Sequence, residues 1–229
     1  MKTVGLLGGM SWESTVGYYQ LINQRVKEKL GGLNSAQIVL YSVNFDPIEK
    51  LQHQGDWVST AEILSDAAKK IESAGADFLL ICTNTMHKVY DEISSSIGIP
   101  ILHIADATAE SLKAKGIKKV GLLGTKFTME EEFYKNRLDT LHGIAVIVPN
   151  ELDREIIHKV IYNELCLGEV KADSKREYLR VVSSLSEEGA DAVILGCTEI
   201  GLLISQNDTQ VPLVDTTKIH AELAVEKMI

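Results

Sequence analysis

Short apolar runs alternate along the chain with longer stretches whose apolar residues recur every three or four positions, the pattern of strands joined by helices. The runs predict strands over Thr3–Gly8, Gln37–Val43, Phe78–Cys82, Ile101–Ile104, Lys119–Leu123, Ile144–Val148, Ala192–Gly196 and Leu213–Val214. Several are apolar almost throughout, as strands covered on both faces must be. Helical spacing predicts helices over Glu13–Leu30, Thr60–Ala74, Ala105–Lys115, Thr128–Leu141, Asp153–Leu167, Ser174–Glu188 and Thr217–Met228. The first stops before Gly31-Gly32, which suit a C-cap. The alternation predicts α/β architecture with central, mainly parallel sheets.

The pattern occurs twice. Gly75-Ala76-Asp77 precedes Phe78-Leu79-Leu80-Ile81-Cys82-Thr83-Asn84-Thr85, and Gly189-Ala190-Asp191 precedes Ala192-Val193-Ile194-Leu195-Gly196-Cys197-Thr198-Glu199. Counted from each glycine, Thr83 and Cys197 share one offset, and Cys82 falls opposite Gly196. Upstream, Val4-Gly5-Leu6-Leu7-Gly8-Gly9 matches Val120-Gly121-Leu122-Leu123-Gly124-Thr125; downstream, Ile99-Pro100-Ile101-Leu102 matches Val211-Pro212-Leu213-Val214. The duplication predicts two pseudo-symmetric α/β/α lobes, 1–104 with 212–229 and 105–211, with an active site in the cleft between them. Each would present one reactive side chain at the C-terminal end of a central strand, where open α/β sheets bind ligands.

Composition narrows the class. A net charge of −9 and the lack of any basic run argue against a nucleic-acid partner. The Val4–Leu7 run is far too short for a signal or membrane segment, and three cysteines do not make a disulfide framework. A cytoplasmic protein with reduced thiols and no membrane partner is expected.

Cys197 is the foremost chemical candidate, because a strand-end thiol becomes a base or nucleophile where amides, a hydroxyl or a cation lower its pKa. The plain alternative is a buried cysteine acting as a small hydrophobe; the offset match with Thr83 favours chemistry. Thr83-Asn84-Thr85-Met86-His87 leaves a strand with consecutive polar groups, of which one is expected to cap the following helix while others line the crevice. His87 reads as a surface or supporting group. Gly8-Gly9-Met10-Ser11-Trp12-Glu13 suits either a carboxylate at a helix N-terminus or an ordinary β-α turn, and it lacks both the G-x-G-x-x-G spacing and the P-loop lysine. Cys166 reads as helix packing. No histidine or cysteine spacing suits a metal.

Gly8-Gly9-Met10-Ser11, Asn84-Thr85-Met86-His87 and Gly196-Cys197-Thr198-Glu199 together resemble the aspartate/glutamate racemase family, over essentially the whole chain. The resemblance implies racemisation of L- and D-aspartate or glutamate without pyridoxal phosphate or any other cofactor, between two α/β lobes of a chain that commonly forms homodimers. The family usually carries a cysteine directly before Asn-Thr; here that position is Thr83. The resemblance therefore implies Cys197 and Thr83 as an asymmetric catalytic pair, with Cys82 facing away from Thr83 because side chains alternate along a strand. It implies that Met10 and Ser11 meet the substrate carboxylate, that Asn84, Thr85, Thr198 and Glu199 hold its ammonium and carboxylate, and that Gln52 meets its side-chain end. No arginine or lysine stands out for a distal carboxylate. The alternatives are a broad-specificity amino-acid racemase, a maleate isomerase, a malonate decarboxylase or a hydantoin racemase on the same scaffold, and a non-catalytic two-lobed amino-acid-binding protein.

Overall fold

A computed structural model describes residues 1–229. It holds two four-stranded sheets, every pairing parallel. The first contains β1 (Val4–Gly8), β2 (Ile38–Ser42), β3 (Phe78–Ile81) and β4 (Ile101–Leu102) in the order β2-β1-β3-β4. The second contains β5 (Lys119–Leu123), β6 (Ala145–Ile147), β7 (Ala192–Leu195) and β8 (Leu213–Asp215) in the order β6-β5-β7-β8. The duplicated sequence thus folds into duplicated topology, and the two strands that precede Thr83 and Cys197 occupy the same interior place in their sheets. β1, β3 and β7 are buried at every residue, which is why they read as unbroken apolar runs, whereas the edge strand β2 is only partly covered.

The chain divides into two compact units, Met1–Ile104 with His220–Ile229, and Ala105–Ile219. The return falls at His220 rather than near Pro212, because β8 must first pair with β7 to complete the second sheet. In the first unit, α1 (Trp12–Leu30) and α3 (Trp57–Ser73) accompany α2 (Phe45–Gln54) and α4 (Tyr90–Ser95). Gly31 ends α1 at φ 70°, its amide bonding Lys27 O at 2.8 Å, a conformation that favours glycine. One face of this sheet packs Leu7, Leu79 and Ile81 on the α3 residues Leu64, Ala68 and Ile71. The other packs Val4, Leu6, Phe78, Leu80 and Cys82 on Tyr18 and Ile22, and on Ala221, Ala224, Val225 and Met228 of α11 (Thr216–Met228).

In the second unit, α5 (Ile104–Ala114) leads to β5. The single helix expected over Thr128–Leu141 is broken into α6 (Lys126–Glu130), α7 (Glu132–Asn136) and a π-helical turn, Arg137–Leu141. At the break Glu131 turns extended, and Lys135 Nζ donates to Glu130 O at 3.1 Å. α8 (Glu151–Asn163) likewise stops short of Leu167, and a 3₁₀ turn over Leu165–Leu167 folds Leu165 into the core. α9 (Ala172–Glu187) and the short α10 (Ile200–Leu203) complete the unit. No helix is long and apolar enough to cross a membrane.

Candidate active site

Cys197 leaves β7 through Gly196, whose amide donates to Leu123 O at 2.6 Å. A Cβ at Gly196 would lie 2.7 Å from both Leu123 O and Leu122 Cδ1, so the close approach of β5 and β7 requires glycine. That contact turns the chain so that Cys197 sits nearly buried at 9% exposure. Its thiol donates to Glu199 Oε2 at 2.9 Å, and the Thr198 hydroxyl donates to the same oxygen at 2.9 Å. The Cys197 carbonyl accepts from Ile200 N at 3.1 Å.

Burial, then the Glu199 charge, then Cys166 push the Cys197 thiol well above the ordinary thiol range. This corrects the expectation of a pKa-lowered thiol: no cation faces it, and a carboxylate does. The carboxylate beside it favours the thiol over the thiolate. Cys166 packs against the core of this unit as expected, though from the 3₁₀ turn after α8 rather than from the helix itself.

At the end of β3, Cys82 N makes a ladder bond to Leu7 O at 3.0 Å, and Thr83 turns away from the sheet. Cys82 shares the face of Phe78 and Leu80, fully buried, and burial raises its thiol far above the range in which it titrates. Thr83 is 8% exposed, and its carbonyl accepts from the imidazole of His87, Nδ1···O 2.8 Å. His87 is buried, not on the surface. Four residues after Cys197 stands Gly201, which has no side chain to repeat that bond. The expected side-chain cap is not made: Asn84 occupies the N-cap of the 3₁₀ helix Thr85–Val89 without one, and His87 N donates to Asn84 O instead.

The other residues of this unit differ in what they can offer. Met10 packs its side chain with Ile48 and Met86, so only its backbone is available to a ligand. Ser11 is the N-cap of α1, its Oγ accepting from Ser14 N and its carbonyl from the Thr15 hydroxyl at 2.8 Å. Gln52, at 1% exposure on α2, has an Oε1 with no hydrogen-bond partner, which marks it as a group waiting for one. α2 went unforeseen because its buried face is only Ile48 and Gln52, too little apolar signal for a periodicity. Asn84, Thr85, Thr198 and Glu199 are all buried. No group of three or more His, Cys, Asp or Glu side chains could hold a metal ion.

Two four-stranded parallel sheets, each with an inner strand followed by a buried hydroxyl or thiol side chain, define a two-unit α/β class. The model of the Asp/Glu/hydantoin racemase family matches residues 7–224, and the chain belongs to that family. A candidate Asp/Glu racemase from Yersinia pestis has a crystal structure 54% identical in sequence, covering 100% of this chain and 99% of that one at a TM-score of 0.91. An aspartate racemase homologue from Pyrococcus horikoshii OT3 is 36% identical, with 100% and 99% coverage and a TM-score of 0.85. The broad specificity amino-acid racemase RacX of Bacillus subtilis (strain 168) is 24% identical over 234 residues, 97% of this chain and 96% of its own.

Proposed function

We propose that the protein is a cofactor-independent amino-acid racemase in which Cys197 and Thr83 act on opposite faces of one substrate Cα. The observation that carries the reading is the Cys197–Glu199 contact, a thiol and a carboxylate held together in a buried strand-end loop. Packing alone does not need a carboxylate there, and a binding protein gains little from a thiol beside it.

The Cα–H of a zwitterionic amino acid is a far weaker acid than any protein base. The reaction needs donors to the substrate carboxylate as it takes on enediolate character, and retention of the adjacent ammonium. Backbone amides of the Gly9–Ser11 turn and of the loops at Asn84 and Thr198 are suited to the first task, and Glu199 to the second. A substrate ammonium beside Glu199 offsets the charge that holds the Cys197 proton, so binding itself lowers the thiol. The thiol gives its proton to solvent water as the ammonium binds. The resulting thiolate takes the Cα proton of the L-enantiomer and becomes the thiol, while the Thr83 hydroxyl gives its proton to the opposite face and becomes an alkoxide, which recovers the released proton from solvent. A threonine is a poor base, so abstraction from the D-enantiomer is the slower half. The equilibrium constant is unity, and the two kcat/KM values remain equal.

Aspartate and glutamate are the first substrates on this reading. A broader range, including neutral side chains, is favoured by a specific observation: no lysine or arginine is among the buried residues, and the buried group proposed for the side-chain end is the neutral Gln52. The likeness to RacX points the same way. We also propose a homodimer in a reducing compartment: α1 leaves Trp12, Val16 and Tyr19 exposed on successive turns of one face, a stripe a second copy would cover, and all three cysteines are free. Light scattering that returns a monomer would remove the dimer.

The test is proton NMR in D₂O on both enantiomers of each common amino acid. Loss of the Cα proton signal from at least one L-amino acid is expected, whereas tight binding without exchange identifies a binding protein. A covalent adduct on Cys197 by mass spectrometry would make the thiol a nucleophile, as a maleate isomerase requires.

A further inference from the structure

We infer that His87 is the positioning residue for Thr83, fixing the hydroxyl end of the reaction as a neutral imidazole. This rests on the racemase reading, which it deepens by naming what holds the weaker of the two groups in place.

His87 makes two hydrogen bonds of opposite sense. Nε2 lies 3.2 Å from Ile104 N, and a backbone amide can only donate, so Nε2 is bare. Nδ1 then carries the proton and donates it to Thr83 O at 2.8 Å. One ring thus joins the loop that leaves β3 to the segment that leaves β4, the neighbouring strand. It is wedged there: the His103 ring lies 4.4 Å from it between centroids and the His220 ring 6.2 Å, with the Tyr90 ring tilted against His103 at 4.8 Å. His220 is itself fixed, accepting from Tyr18 OH at 2.9 Å and donating to Leu102 O at 2.8 Å.

Thr83 needs such a hold because it lies beyond the last ladder bond of β3, and a proton donor displaced by about 1 Å from its productive position loses much of its contribution. The corresponding carbonyl in the other unit, that of Cys197, is held by a backbone amide that no substitution removes. Thr83 instead depends on a side chain, so its placement can be changed without touching the thiol.

Two variants separate the bonds. In His87→Asn the amide nitrogen replaces Nδ1 and keeps the donation to Thr83 O; in His87→Gln the amide oxygen replaces Nε2 and keeps only the Ile104 contact. For His87→Gln we expect kcat for net racemisation of the L-substrate to fall tenfold or more, with KM and the Cys197-dependent Cα exchange in D₂O within about twofold of wild type. His87→Asn should recover most of the lost kcat. Equal loss in both variants, or parallel loss of exchange and racemisation in His87→Gln, assigns the histidine to folding alone and overturns the proposal. A measurement on the unaltered protein guards against variants that do not fold: nitrogen-15 NMR of the His87 ring should show protonated Nδ1 and bare Nε2 at neutral pH, and the opposite tautomer or a doubly protonated ring overturns it. A wild-type protein that exchanges no amino acid would sink the racemase reading; the tautomer measurement would still report on the tether.

Discussion

The loops that end β3 and β7 occupy equal places in equal sheets, yet they are built by different means. After β7 a glycine permits the turn, a carboxylate accepts from the thiol, and a backbone amide fixes the Cys197 carbonyl. After β3 the glycine's counterpart is the buried Cys82, the residue matching Cys197 is the hydroxyl-bearing Thr83, and its carbonyl is fixed by the side chain of a buried histidine. The second loop is an electrostatic device, the first a mechanical one. A duplicated fold keeps strand order because the sheets demand it, while the residues just past the strands, free of ladder bonds, can diverge.

Replacing the thiol should have the largest effect. Cys197→Ser is expected to lower Cα exchange from the L-substrate roughly 10²–10⁴-fold, the usual contribution of a positioned acid or base; exchange within tenfold of wild type would return both loops to the same footing. Acid should then distinguish the units. The buried histidines His87, His103 and His220 all belong to the first unit, and burial holds His220 down at about 4. Its folded pKa lies below its unfolded one, so its neutral form supports the fold fully above about pH 6.5. That support is lost as pH falls toward about 4, by about 3 kcal/mol in all. Hydrogen exchange at pH 4 should show β1 and β3 opening before β5 and β7; the reverse order would contradict the assignment.

The glycine offers a smaller contrast. Gly196→Ala should destabilise the protein by about 1–3 kcal/mol through the clash with Leu122 and Leu123 O, read as a lowered urea midpoint. The last contrast is read in pH. Glu199→Gln removes the negative charge that raises the Cys197 thiol, so the rising limb of kcat/KM for L-substrate exchange should move to lower pH. A limb that stays in place, or moves up, would show that the carboxylate does not control the thiol.

The strands were legible from the sequence because most are short, apolar and bounded by glycine or proline, and all eight are where the runs place them to within one or two residues. The repeat was legible for the same reason. α2 was not, its burial resting on one isoleucine and one glutamine, and neither was the break at Glu131, where backbone geometry overrides a good helical pattern. At the site, offset singles out Cys197 and Thr83, and the family resemblance adds Glu199. Their electrostatics could not be read there: the direction of the thiol shift depends on which way the Glu199 carboxylate turns, and the importance of His87 on a contact with Ile104, a residue from another strand's end.

The most direct test of the two-loop account is to follow one L-substrate in D₂O with Thr83→Ala, recording Cα deuteration by proton NMR and handedness by chiral chromatography. The account predicts that deuterium still enters Cα, through Cys197, while formation of the D-enantiomer drops at least tenfold. Racemisation and deuteration that stay equal, whether both persist or both vanish, would contradict a mechanism divided between a thiol on one face and a hydroxyl on the other.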